Sequence, residues 1–600
     1  MCFTVISVIM RYFFNRPVPG DNEITELLIV VAVFFGAVAV AQINKRHVMI
    51  EIGLEALRDR GRVVMNSVVT FFGIGLFLIL IWRTAITASL YMEQGNSTRM
   101  LAIPLSPFAW IIPLGCFLVL VVLLRDLSAY LNEGTKLRLN KGHWLLIFGL
   151  PVLLLALIVL FLQGGWEINS LLLGVVGLLF CVLLFFTGMP VTFAMFVTGF
   201  LGMSYLRGID SALSFLGGSL WQNTANYAFA VVPLFVTMGY FVFYSDISRD
   251  LYNTAYRWLG RMSGGLSVAT ITACTGYAAV VGDVFTGTIT MGAVALPEMK
   301  RYKYDNRLST GSICAGSTLG SLIPPSVPFV IYAIITQQSV ADMFMAGVFP
   351  GLLMGLSWVL YIYIRCRMNP TMGPPGPSTS FREKMVSLRA TWSVGVLFIM
   401  VLGGIYLGVF TPTEAGGIGA AGALIIGVAL RRYSWKSFGK ALAESSELVA
   451  MIFLMLAGAA ILSTFFVLSK FPLSLANYLA GLTVSPILII IAISLVLLIL
   501  GCLVSSMALL LVVVPILFPV ITHLGFDPIW FGVLVVMLFN IGALTPPFAI
   551  NVFALRGVAR DIPIGTMYRG VLPFVLVALV SVALVMVFPG IATWLPGMMK

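Results

Sequence analysis

Gly311–Tyr332 reads GSICAGSTLGSLIPPSVPFVIY, an apolar segment interrupted near its middle by adjacent prolines. Pro324 and Pro325 carry no backbone N–H and stop a helix, so in lipid the freed carbonyls must face protein, water or an ion. The chain repeats this device. Gly542-Ala-Leu544-Thr-Pro546-Pro547 matches Gly320-Ser-Leu322-Ile-Pro324-Pro325 at an offset of 222 residues, and the same offset puts Pro297 on Pro519, so the Pro-to-Pro-Pro spacing is 27 residues in both halves. Paired broken apolar segments in corresponding halves point to the binding site of a secondary transporter. Plain proline turns between helices are the simpler alternative.

Composition sets the class. Of 600 residues, 60% are apolar and 10% charged, against about 25% charged in soluble domains. Many runs reach the ~20 residues that a spanning helix needs. An all-α, polytopic integral membrane protein is expected. The net charge of +12 sits in short clusters between apolar runs, which fits topology signals and not a nucleic-acid-binding face. The seven cysteines are scattered without a CxxC pair, and His47, His143 and His523 are isolated, so neither a disulfide framework nor a metal centre is implied. Walker A, HExxH and GxSxG sequences are absent, and no cofactor is expected. A membrane enzyme built on Asp283, Glu298 and His523 is disfavoured. Glu298 opens the polar run Glu298–Asp305, and His523 has no acidic neighbour before Asp527.

In chain order, the run Met1–Met10 is too short to span unless a helix continues through Arg11 to Phe14. Spans are expected at about Glu26–Gln42, Val64–Leu90 and Pro107–Leu124. The basic loops around Lys45–Arg62 and Arg125–Lys141 place both, and the chain start, in the cytoplasm. These helices form a small unit over 1–127. A basic linker and a fusion helix at about Trp144–Leu162 occupy 128–169, ending in the short segment Gly164–Asn169. The larger unit, 170–600, holds repeat one (170–365), a Pro/Gly-rich cytoplasmic connection (366–389) and repeat two (390–590). Ser245–Arg261 reads as a helix lying on the membrane or as a solvated loop, and an interfacial helix is expected after Arg431–Lys436.

In repeat one, Thr272–Pro297 is rich in Gly and Thr and suits a helical hairpin that enters the membrane and returns, with Val281, Gly282 and Asp283 at its turn. A lone carboxylate at membrane depth is costly and is a functional candidate; capping a half-helix at a wet surface is its plainer role. The offset places Ser505, between Val504 and Ser506, opposite Asp283, so one tip supplies an anion and the other a neutral oxygen. Beyond the tips lie oxygen-rich breaks: Ser317, Thr318, Gly320 and Ser321 before Pro324 and Pro325, and Asn540, Gly542 and Thr545 before Pro546. Sodium takes such oxygen ligands, although Ser and Thr also pack helices together. Thr411-Pro-Thr-Glu414 reads as a helix start with a capping box. Arg556 is a candidate contact for an anionic substrate, or an interfacial arginine that snorkels.

Gly316–Ser326, Leu544–Pro547 and Gly408-Val-Phe-Thr-Pro-Thr-Glu-Ala415 resemble the large membrane subunit of tripartite ATP-independent periplasmic (TRAP) transporters. Arg11-Tyr-Phe-Phe-Asn15 and the Gly36-Ala … Arg46-His47-Val48 run are similar to the small subunit, so the chain resembles a fused version. The resemblance implies a bacterial inner-membrane importer of organic acids, coupled to sodium and supplied by a periplasmic substrate-binding protein. It also implies two inverted repeats, each with a re-entrant hairpin and a broken helix, that move like an elevator past a scaffold. Carried over, the sodium sites join the 281–283 tip to Ser317–Pro325 and the 504–506 tip to Asn540–Pro546. Family members often have a Ser-Gly-Ser type turn at the first tip and an acid at the second; here the acid, Asp283, is in the first. An ion-coupled organic anion carrier working without a binding protein is the competing reading.

Overall fold

The computed structural model describes residues 1–16, 18–34, 36–49, 54, 57–163, 168–282, 284–376, 379–547 and 549–599. Every regular element among them is helical, and ten helices are long and apolar enough to cross a membrane. The offset seen in the sequence governs the elements. Helices Val284–Arg301 and Ser506–His523 begin and end 222 residues apart, and Asn306–Thr318 and Pro528–Leu544 begin at that same separation. Each of the latter pair starts on an aspartate. Asp305 accepts from Arg307 N at 2.7 Å and Asp527 from Trp530 N at 2.8 Å, satisfying backbone donors that the first turn leaves free.

Each repeat forms a hairpin, Gly265–Val281 with Val284–Arg301 and Pro486–Gly501 with Ser506–His523, followed by a helix broken at its double proline. The breaks separate Asn306–Thr318 from Val327–Thr336 and Pro528–Leu544 from Ile550–Val558. Helices Val340–Met368 and Ile564–Val587 close the group. They are joined by the buried Trp358, whose indole donates to Phe574 O at 2.9 Å, and Trp530 donates likewise to Val585 O. An indole buried with its N–H satisfied anchors apolar packing without an unpaired polar group.

A second group comprises Val191–Arg207, Ile209–Thr224, Val231–Tyr244, Pro412–Ala429 and Trp435–Leu468, which pack on one another and carry the small unit. In the small unit, Asp59–Glu93 pairs with Ser106–Lys136, while Ala37–Ile43 rests on Trp435–Leu468 and Cys2–Phe14 on Pro412–Ala429. Polar contacts seat it. Arg11 pairs with Glu414 at 2.6 Å, Asn44 Nδ2 donates to Glu447 at 2.8 Å, Tyr227 N donates to Glu26 at 3.0 Å, and Val191 N donates to Val48 O at 2.9 Å.

Several boundaries differ from the sequence reading. Ser106–Lys136 continues beyond 127, so the expected basic linker is mostly helix and the fusion helix Lys141–Gln163 follows almost at once. Val340–Met368 likewise absorbs the start of the expected connection at 366. The interfacial helix expected after Lys436 is the first part of Trp435–Leu468. The cause is common to all three: charged residues with good helix propensity extend an apolar helix beyond its hydrophobic stretch. The first helix continues through Arg11 to Phe14, and Ile247–Leu259 forms the short helix read over Ser245–Arg261. Of the segment 164–169, residues 164–167 lie outside the described residues.

Candidate functional site

The two hairpin tips meet their own breaks. Gly282 ends its helix at φ +66°, and a Cβ there would stand 2.6 Å from Pro325 O. Only glycine combines that left-handed turn with so close an approach. In the second repeat, Gly501 and Gly542 are in backbone contact, so that a Cβ on Gly542 would lie 2.4 Å from the Gly501 carbonyl carbon. Ser505 caps Ser506–His523 by accepting from Ala508 N at 3.4 Å, and Ser506 Oγ donates to Phe539 O at 3.4 Å. Asp283 lies outside the described residues.

The breaks are also tied to each other. Ser321 Oγ donates to Asn540 Oδ1 and Ser326 Oγ donates to Ser321 O at 2.5 Å, so a hydroxyl of one repeat is satisfied by an amide of the other. Asn551 Nδ2 donates across the same boundary to Cys314 O at 3.3 Å. Asn540 is 2% exposed, and its Nδ2 has no partner among the described residues. An unpaired buried amide is costly and marks a place where a ligand oxygen is welcome. Ser317, Thr318 and Thr545 instead donate to carbonyls of their own helices, Ile313 O, Ala315 O and Ile541 O, which keeps their oxygens as acceptors only.

A cavity of about 510 Å³ opens where these parts converge. Val281, Gly282, Ser321, Ser505, Ser506 and Asn540 line it from the two repeats. Val504, Gly320, Gly542, Pro324, Pro325 and Pro546 are not among the residues that line it. Its opposite wall is scaffold: Tyr240 and Phe243 of Val231–Tyr244 and Glu444, Leu448 and Met451 of Trp435–Leu468, with Arg46 of the small unit. The Glu444 carboxylate accepts from Tyr244 Oη at 2.8 Å. The volume suits a small organic molecule. The first tip presses directly on the scaffold, since a Cβ on Gly239 would stand 2.6 Å from Val281 O. Outside the spans, Lys300 Nζ donates to both oxygens of Asp561 at 2.8 and 2.7 Å, and this holds the carboxyl below its usual range. Arg556 is not brought to the cavity. It sits on the exposed end of Ile550–Val558, away from the buried face formed by Asn551, Val552 and Leu555.

The profile described as the DctM component of tripartite ATP-independent periplasmic transporters matches residues 178–591, and that of the DctQ component matches residues 1–131. The chain belongs to the TRAP transporter family. It is 34% identical over 390 residues to the C4-dicarboxylate TRAP transporter large permease protein DctM of Pseudomonas aeruginosa, covering 65% of this chain and 90% of that one. Relatives that also span the small unit are the isethionate TRAP transporter permease protein DctMQ of Oleidesulfovibrio alaskensis (29% identity; 86% of this chain, 87% of that one) and the sialic acid TRAP transporter permease protein SiaT of Haemophilus influenzae (25%; 99% and 96%). This TRAP protein is therefore a fused, multi-pass inner-membrane permease and a transporter by family.

Sequence reading missed Arg46, Tyr240 and Glu444. Glu444 and Glu447, on one face where the charged start of Trp435–Leu468 passes into its apolar run, were the available signal, because carboxylates entering a spanning segment are functional candidates.

Proposed function

We propose that this chain imports an organic acid by sodium-coupled secondary transport, receiving it from a periplasmic substrate-binding protein and carrying it past the scaffold by an elevator motion of the two hairpin repeats. The observation that carries this reading is the single cavity shared by both hairpin tips and the scaffold wall. A site split between two rigid groups is exposed to one side or the other as they slide, while packing inside each group is kept. Sodium is the coupling ion and is bound as cargo. Its oxygen ligands come from Gly282 and the 317–325 break in repeat one, and from Ser505 and the 540–546 break in repeat two, with Asp283 adding charge at the first tip. The names of the relatives point to small organic acids, and the chain start is cytoplasmic by the charge of its loops.

The test is uptake into proteoliposomes of succinate, N-acetylneuraminate and isethionate, with and without an inward sodium gradient and with the binding protein encoded nearest to this chain. Uptake that needs both sodium and the binding protein is expected. Uptake indifferent to sodium overturns the coupling, and uptake by the chain alone identifies a carrier that works without a binding protein.

A further inference from the structure

Arg46 belongs to the small unit, yet it lines the cavity between the hairpin tips of the large unit. It is the one lysine or arginine among the described residues that line it, and it shares the scaffold wall with Glu444. An organic anion entering this space meets one carboxylate and one guanidinium from the protein. The guanidinium is the group that decides whether a carboxylate is held or repelled.

The plainer role for Arg46 is a structural ion pair with Glu447, and the geometry argues against its sufficiency. Glu447 is buried, and its Oε1 already accepts from Asn44 Nδ2 at 2.8 Å. Arg46 reaches the other oxygen through Nε, at 3.5 Å, and its side chain remains 46% exposed. Among the described residues, neither terminal nitrogen of Arg46 donates a hydrogen bond. An arginine devoted to a carboxylate presents its planar fork and makes two short, parallel bonds. Here the fork is unused. Glu447 steadies the stem through Nε, and the two terminal nitrogens, with four N–H donors, remain in a side chain that borders the cavity. The segment is also firmly placed, because Asn44 is bonded to Glu447 and Val48 O accepts from Val191 N at 2.9 Å on either side of it.

We infer that Arg46 is the carboxylate-binding residue of the transport cavity, so that the small unit sets specificity for organic anions as well as serving as scaffold. The inference rests on the reading of this cavity as the substrate site. Glu447 is the positioning partner, presenting the guanidinium to the acid group of the substrate.

The experiment titrates succinate, N-acetylneuraminate and isethionate onto the purified full chain in nanodiscs at saturating sodium, with the melting temperature as readout. Arg46→Gln is expected to weaken binding about 10- to 100-fold, the loss of one charge-assisted pair, with Arg46→Lys in between. Glu447→Gln is expected to bind as tightly as wild type or more tightly, because the fork is then free. The double variant separates the two roles: binding as weak as in Arg46→Gln supports direct recognition, whereas recovery shows that an unpaired Glu447 caused the loss and overturns it. Equal binding by wild type and Arg46→Gln, zero included, also overturns it. If Arg46→Gln yields no folded protein, the Arg46→Lys and Glu447→Gln titrations decide by the same criteria. Sodium-driven uptake by the wild type is scored separately in vesicles. Its failure removes the proposed function and leaves the binding series to stand or fall alone.

Discussion

At the scale of single residues, the tip of the first hairpin makes the sharpest demand on its amino acid. Gly282 combines φ +66° with an approach that would put a Cβ 2.6 Å from Pro325 O. Gly282→Ala adds backbone strain of about 1–3 kcal/mol and a clash with a carbonyl that cannot swing aside. Uptake is expected to fall about tenfold or more, and yield and monodispersity in detergent, measured beside it, separate a lost transport step from a lost fold. Uptake equal to wild type would show that the tip and the break need not touch during transport. Residue-scale reading from the sequence was uneven for a physical reason. Ser505, Ser506 and Asn540 were legible because a proline or glycine break beside an oxygen-bearing side chain is local information, and all three line the cavity. Arg556, by sequence either an anion contact or a snorkelling arginine, stands near the second break along the chain, but a helix turns once every 3.6 residues, and the buried face of Ile550–Val558 belongs to Asn551, Val552 and Leu555. Arg46 was invisible as a site residue because no local pattern reports the distance between two units.

At the scale of elements, the helix start at Pro412 shows what a capping box does inside a membrane protein. Thr411 Oγ1 accepts from Glu414 N at 3.3 Å, and Glu414 accepts from Thr411 N at 2.9 Å, the reciprocal pattern expected from the sequence. The structure adds a partner from the small unit: Arg11 reaches the same carboxylate at 2.6 Å, and Tyr12 Oη donates to Val409 O. One glutamate thus completes a cap and docks the first helix. Glu414→Ala is expected to cost about 1–2 kcal/mol locally. In hydrogen–deuterium exchange this raises the exchange of Cys2–Phe14 and of the first turn of Pro412–Ala429 together, while the hairpins are unchanged. Exchange confined to the first turn alone would deny the docking role. Element boundaries were least legible wherever a helix crosses from apolar to charged sequence, as in Ser106–Lys136 and Trp435–Leu468. Hydropathy marks where a bilayer favours a helix, and backbone hydrogen bonding decides where it ends.

At the scale of the whole molecule, the seat of the small unit on the scaffold contains a titratable contact. His47 is 7% exposed and packs its ring against Phe193 of the large unit, with centroids 5.7 Å apart. Neither ring nitrogen has a hydrogen-bond partner among the described residues. Burial without an acceptor disfavours the charged form, and it lowers the imidazole from 6.5 to about 4. The separated or unfolded state therefore binds a proton that the docked state refuses. The sign follows: the contribution is intact above about pH 6.5 and is lost as pH falls towards 4, reaching roughly 3 kcal/mol when the window is crossed. Thermal melts of the detergent-solubilised chain are expected to show stability declining across that window. His47→Leu, similar in volume and unable to take up a proton, flattens the decline while keeping the contact with Phe193. A slope unchanged by the substitution would assign the acid lability to other groups and leave His47 a packing residue only. The neighbouring Arg46 gives the outcome a functional edge. A protonated His47 pushes on the segment that positions the guanidinium, so acid that loosens this seat is also expected to weaken anion binding in the cavity in wild type, and less so in His47→Leu.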